Sequence, residues 1–181
     1  GDKNNEFSKA GYAFNGEVYT GLDFRSFSSK NREFAQDKLR ILSGLYGILK
    51  PDTIIEPYRL EMGTKLNIEE STNLYDFWGN DILNFLESEG SESIVNLAST
   101  EYSKAAKLKQ FSGSVITPHF KEFKNGDFKV IMMYAKKARG LMTRWVIQNK
   151  INRIEDIKNF TEDRYVFNEE LSSNQDWVFT R

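Results

Sequence analysis

Apolar residues recur along this chain at two spacings, near two residues in some stretches and near 3.6 in others, and each change of spacing marks an element. Asn31 to Leu39 has helical composition and runs into Leu39-Arg40-Ile41-Leu42, which stops at Ser43-Gly44-Leu45-Tyr46-Gly47. That order predicts a helix, a short strand and a glycine-punctuated turn. Pro51 and Pro57 interrupt regular structure around Asp52-Thr53-Ile54-Ile55-Glu56, so the stretch to Gly63 reads as an ordered loop or short extended piece. Asn73 to Ser88 returns to helical spacing, with Leu74, Phe77, Trp78, Ile82 and Phe85 on one side. Ile94 to Ala98 reads as a strand, and Ser99 or Thr100 stands where it can cap a helix starting near Glu101. Val115 to Lys124 and Asp127 to Tyr134 flank Asn125-Gly126, a hairpin signature. A helix follows, then a shorter one near Ile154 to Phe160, and short strands around Tyr165 to Phe167 and Trp177 to Phe179. The expected fold class is α/β: one mixed domain over residues 1–181 in which a β-hairpin leads into a basic helix.

Charge changes the picture at that helix. Between Asp127 and Glu155 stand seven basic residues and no acidic one, and taking seven from the chain's 25 Lys+Arg leaves 18 against 26 Asp+Glu elsewhere. Positive charge so concentrated attracts a polyanion such as nucleic acid. At 100° per residue, Ala138, Leu141, Met142 and Trp145 form an apolar stripe, while Lys136, Lys137, Thr143 and Arg144 fall opposite with Gly140 in their midst. A mid-helix glycine costs roughly 0.5–1 kcal/mol against alanine, so something bulky is expected to approach the backbone there, either a phosphate backbone or a neighbouring element of the same protein. A solvated surface helix is the plain alternative.

Length and composition bound the rest. The 181 residues include 14 Phe, 8 Tyr and 3 Trp, enough for one sizeable core or two small ones. Cysteine is absent, which excludes disulfides, thiolate metal sites and cysteine nucleophiles within these residues. No apolar run is long enough to cross a bilayer and no signal-peptide pattern opens the chain, so a soluble, intracellular protein is expected. The polar opening Gly1-Asp2-Lys3-Asn4-Asn5, without methionine, reads as an expression scar or a start inside a longer protein.

Other constellations carry weaker chemistry. Ser43 to Gly47 can present backbone N–H groups to a phosphate, yet lacks the lysine and spacing of a P-loop, and a tight turn is the simpler reading. Ser99-Thr100-Glu101 offers helix N-terminal donors, with plain capping as the alternative. His119, the only histidine, has no spacing to a triad and is expected to be structural. No clustered carboxylates suggest a metal site, and neither a metal nor a cofactor is expected. In Pro57-Tyr58-Arg59-Leu60-Glu61-Met62-Gly63, Arg59 can stack on a base or hold a phosphate, or it can pair with Glu61 or another acid and pin the loop.

Five ordered motifs then point further. Leu42-Ser43-Gly44-Leu45-Tyr46-Gly47-Ile48-Leu49-Lys50-Pro51, the Pro57–Gly63 run, Tyr75-Asp76-Phe77-Trp78-Gly79, Asn96-Leu97-Ala98-Ser99-Thr100-Glu101-Tyr102 and Tyr134-Ala135-Lys136-Lys137-Ala138-Arg139-Gly140-Leu141-Met142 closely resemble the bacterial YaaA family of peroxide-stress proteins. The resemblance spans about Gly16 to the C-terminus, and the family's opening strand with its Ser-Pro-Ala-Lys-Thr-like turn is not in these residues, so the chain looks like a C-terminal portion. It implies an unusual α/β fold with a positively charged cleft, a cytoplasmic protein protecting bacteria against hydrogen peroxide, binding to duplex and branched DNA, and a link to limiting free iron. The family's helix-hairpin-helix element is expected upstream.

The leading expectation is a largely sequence-independent DNA-binding protein. Its cleft would be lined by Lys136, Lys137, Arg139, Gly140 and Arg144, with Arg59, Tyr58 and Lys104 as further contacts, and phosphate neutralisation would supply most of the affinity. The alternative is a lysine-dependent enzyme acting on nucleic acid or nucleotides, with Lys136 or Lys137 as amine nucleophile and Glu61 or Glu101 as acid or base. A scaffold that binds a protein partner through the same helix is a third reading. No membrane contact is expected.

Overall fold

The structure is a computed structural model that describes residues 7–181 apart from Glu69. The polar opening Gly1–Asn5 lies outside the described residues. In chain order the elements are β1 (Ser8–Lys9), α1 (Ala10–Ala13), α2 (Glu17–Leu22), α3 (Ser29–Lys38), β2 (Ile41–Ser43), β3 (Gly47–Leu49), β4 (Ile54–Ile55), α4 (Leu74–Trp78), α5 (Asp81–Ser88), β5 (Ser93–Val95), α6 (Thr100–Ala105), β6 (Ser114–Lys124), β7 (Asp127–Lys129), α7 (Met132–Gln148), β8 (Val166–Asn168) and β9 (Asp176–Thr180). This is a mixed α/β fold. The chain falls into two units, 1–14 with 36–92 and 98–114, and 15–35 with 93–97 and 115–181.

The first unit is built on two small antiparallel ladders, β1 with β4 and β2 with β3. Gly47, at φ +71, closes the β2–β3 turn in a backbone conformation that suits glycine, and a Cβ there would stand 2.7 Å from the Trp78 ring. The continuous helix expected over Asn73 to Ser88 is broken in two. Asn73 caps α4 by accepting from the Asp76 N–H, Gly79 ends it at φ +47, and α5 starts afresh at Asp81. Ile82, Leu83 and Leu86 are the buried stripe of α5, whereas Phe77 and Phe85, expected inward, are exposed. Arg40 and Lys50 both reach Glu89 beyond the end of α5.

The second unit carries the larger sheet, in the order β5-β6-β9-β8, with β7 folding back on β6 through Asn125-Gly126. Its central pair, β6 and β9, is parallel, with Phe120 level with Phe179. Ile116, Phe120, Tyr165, Trp177 and Phe179 meet Ala135, Ala138 and Met142 of α7 in one aromatic core, and Leu141 and Trp145 pack against it. The apolar stripe read from the sequence is therefore the stripe that is buried. The second hairpin strand is shorter than its alternation suggested: it ends at Lys129, and Met132 to Tyr134 are the first turn of α7. A short 3₁₀ helix over Ile154–Asn159 replaces the α-helix expected there.

Candidate nucleic-acid interface

Helix α7 presents its cations on a face set by its own periodicity. Burying Ala135, Ala138 and Met142 turns Lys136 and Lys137 outward, and both are exposed. Neither forms an ion pair among the described residues. Arg139, one turn further, is half-buried and likewise has no carboxylate partner; partial removal from water pulls its guanidinium below the ordinary arginine value. An arginine in that setting gains from any anion that can reach it. Arg144 differs, because its Nη1 reaches Asp23 Oδ2 at 3.3 Å and its charge is partly matched. Thr143 donates back to the Arg139 carbonyl at 2.9 Å, a helix-internal bond.

Gly140 requires a correction. It is buried, and a Cβ at that position would stand 1.9 Å from the Val18 backbone oxygen. The bulky neighbour is helix α2 of the same unit. Gly140 is covered by α2 and has no open backbone to offer a ligand.

Below the start of α7 lies a cleft of about 740 Å³ lined by Glu17, Glu122, Phe123, Met133, Tyr134, Lys137, Asp163, Arg164 and Arg181. Arg181 anchors it. Its Nε donates to Glu122 Oε2 at 2.7 Å, its Nη1 pairs with the Asp163 carboxylate, and its guanidinium lies over Tyr134 at 5.0 Å and Tyr165 at 4.7 Å. Burial acts against this cation, yet the Glu122 hydrogen bond and its anionic surroundings hold it above the ordinary arginine value. Tyr165 donates to the other Glu122 oxygen, and burial together with that bond pushes its phenol well above the usual range. No sequence motif announced this network, since its members are scattered from Glu122 to Arg181.

The remaining candidates, His119 apart, belong to the first unit. Ser43 is fully buried; its Oγ accepts the Tyr46 N–H at 2.9 Å and meets the Tyr58 hydroxyl. Burial pushes the Tyr58 phenol up, while hydrogen bonds from Ser43, Leu45 and Gly44 oppose the shift. The donors of the Ser43–Gly47 turn are thus engaged inside the protein, and the tight-turn reading describes it. Tyr102 hydrogen-bonds to the Met62 backbone, and the Glu101 carboxylate stands 3.5 Å from where a Gly63 Cβ would lie, so the Pro57–Gly63 loop and the start of α6 come together. Lys104 places its ammonium 4.6 Å over the Tyr75 ring. Arg59 and Glu61 are exposed, and among the described residues they form no ion pair with each other. Ser99 occupies the N-cap position of α6 without a side-chain capping bond. His119 Nε2 and Asp176 Oδ1 lie 2.7 Å apart across the parallel strands. Among the described residues no three His, Asp or Glu side chains come together as a metal site, and no helix is long and apolar enough to cross a membrane.

Comparison with known proteins places the chain among relatives. The family model described as "Peroxide stress protein YaaA" matches residues 2–171. A UPF0246 protein of Aliivibrio fischeri strain MJ11 is 54% identical over 174 residues, covering 94% of this chain and 67% of the relative. One from Colwellia psychrerythraea is 53% identical over 173 residues, covering 93% and 67%. A UPF0246 protein of Clostridium perfringens strain ATCC 13124 is 54% identical over 173 residues, covering 93% and 68%.

Proposed function

We propose, for a chain that belongs to the peroxide stress protein YaaA family, that it binds DNA with little sequence preference and shields it in the cytoplasm during peroxide stress. The observation that carries this reading is the pair of exposed cations at the start of α7, Lys136 and Lys137, which have no acidic partners among the described residues; Arg139, on another side of the helix, is half-buried and likewise has none. Exposed cations such as Lys136 and Lys137 neutralise phosphates and need no base contact to do so. Arg144 contributes less, because Asp23 already holds it. Arg59 and Lys104 are further exposed cations in the first unit, and the Tyr58 hydroxyl is held by Ser43.

The link to free iron is then indirect. With one histidine and no cysteine, these residues offer poor iron donors, and covering DNA limits iron-driven damage without binding the metal. The lysine-enzyme reading has less support: an imine-forming lysine is activated by burial in an apolar pocket or by a pressing neighbour cation, whereas Lys136 and Lys137 are both exposed, Lys137 at the edge of the cleft, with side chains about 100° apart round the helix.

The test is a pair of double variants. K136R/K137R keeps both charges and removes the amines; K136A/K137A removes both. Mobility shift on duplex DNA and survival of peroxide-treated cells are expected to stay near wild type in the arginine pair and to fall together in the alanine pair. An arginine form that binds normally yet fails to protect cells overturns the binding-only reading.

A further inference from the structure

We infer that Tyr165 is a redox-active side chain: it gives up one electron to an oxidant that reaches Tyr134 in the cleft, passes its phenolic proton to Glu122, and holds the resulting radical inside the protein. The inference stands on the Glu122–Arg181 network and is independent of the DNA-binding reading.

A phenol in water is a poor one-electron donor, because losing an electron turns its oxygen into a strong acid whose proton must leave as well. Oxidation is easier where a base already holds that proton. Tyr165 has such a base, since its hydroxyl donates to Glu122 Oε1. The residue is 1% exposed and packs edge to face on Phe120 at 5.1 Å. Buried in this way, a radical is kept from the ring-to-ring coupling that consumes tyrosyl radicals in solution.

Charge favours the loss of an electron here. The side chains of Glu122 and Arg181 are 13% and 12% exposed, and Asp163 is the second carboxylate on the guanidinium. Two acids therefore face one cation, and the surplus negative charge is costly in so enclosed a place. Lys137, Arg164 and Glu17 line the same cleft, but all three are exposed and form no ion pair with these groups among the described residues, so water and salt screen them. Removing an electron from Tyr165 relieves the surplus: Glu122 becomes a neutral acid, Tyr165 a neutral radical, and Arg181 stays paired with Asp163.

The buried ring is reached through Tyr134. That side chain lines the cleft and is 39% exposed, and the Arg181 guanidinium stands 5.0 Å from its ring centroid and 4.7 Å from that of Tyr165. One group, fixed by its two carboxylates, thus lies against both rings, within the short range over which electrons pass between aromatic side chains. The steps balance. A one-electron oxidant, of the class that peroxide forms with a redox metal, takes an electron from Tyr134, whose proton goes to water. An electron then moves from Tyr165 to Tyr134, Tyr134 recovers a proton from water, and the Tyr165 proton moves to Glu122. A one-electron reductant later returns the electron, Glu122 returns the proton, and the site is reset.

The experiment oxidises the protein with flash-generated tris(bipyridyl)ruthenium(III) and follows tyrosyl radicals by electron paramagnetic resonance and transient absorption. Wild type is expected to give a long-lived tyrosyl signal with the sharp hyperfine pattern of a ring held in one orientation. Tyr165→Phe is expected to lose that signal and keep only the short-lived ones of surface tyrosines. Tyr134→Phe is expected to form it more slowly. Glu122→Gln, which still accepts a hydrogen bond but cannot take the proton, is expected to form less of it with a shorter lifetime. A ring-fluorinated tyrosine in place of Tyr165 keeps the packing and adds a fluorine splitting to the signal, so the assignment does not depend on how Tyr165→Phe folds. A long-lived signal without that splitting overturns the relay, and so do formation and decay that Glu122→Gln leaves unchanged. Variants that lose thermal stability while their radical chemistry matches wild type would give the network a structural role alone.

Discussion

Gly21 and Gly140 meet backbone to backbone where α2 crosses α7. A Cβ at Gly140 would stand 2.9 Å from the Gly21 Cα, and one at Gly21 would stand 2.3 Å from the Lys137 carbonyl oxygen. Neither position has room for a methyl group, and the obstructing atoms are main chain, which cannot swing aside. Gly140→Ala is therefore expected to destabilise the protein by about 1–3 kcal/mol, the usual cost of overpacking, despite the gain of up to about 1 kcal/mol in helix propensity. Urea denaturation followed by circular dichroism checks this. A variant as stable as wild type would mean that α2 is not seated on α7.

Peroxide itself probes the surface of α7. The chain has four methionines and no cysteine. Met62 and Met142 are fully buried, whereas Met132 is 61% exposed and Met133 54%. Thioether oxidation follows access, so hydrogen peroxide treatment of the native protein is expected to add oxygen to Met132 and Met133 first, with Met62 and Met142 following only after unfolding. Peptide mass spectrometry over a time course reads the order. Early oxidation of Met142 would contradict the packing of α7 on the sheet.

The Glu89 carboxylate ties stability to pH. Its hydrogen bond with Arg40, at 2.6 Å from Nε, and Lys50 at 3.2 Å hold it below the ordinary glutamate value. A carboxyl depressed in the folded state adds stability that is fully present above the unfolded value, about 4.3, and lost as pH falls through the lower folded value. Arg40→Met is thus expected to be less stable than wild type near neutrality, with the gap narrowing on acidification below about pH 4. Urea midpoints across that window test it; a gap independent of pH would remove Glu89 as the cause.

What the sequence made legible was mostly local. Strand β2 and its turn, the Asn125-Gly126 reversal and the buried stripe of α7 each depend on residues close together in the chain, and each is where its pattern put it. Helix α2 was missed because Glu17–Leu22 is six residues long, too short to show a periodicity, and without it the neighbour of Gly140 could not be known. Met132 to Tyr134 were misread because a strand's alternation and a helix's first turn look alike over three residues. The parallel β6–β9 pairing and the Arg181 network join segments tens of residues apart, and nothing local encodes them.

The central claim, that α7 holds DNA by its phosphates, is tested most directly by the salt dependence of duplex binding. Log K should fall linearly with log salt concentration, by about 0.9 for each phosphate neutralised. Replacing Lys136 and Lys137 by alanine should lower that slope by about 1.8, and the arginine pair should leave it unchanged. A slope that stays the same in the alanine pair, or wild-type binding indifferent to salt, would contradict the assignment of α7 as the phosphate-binding face.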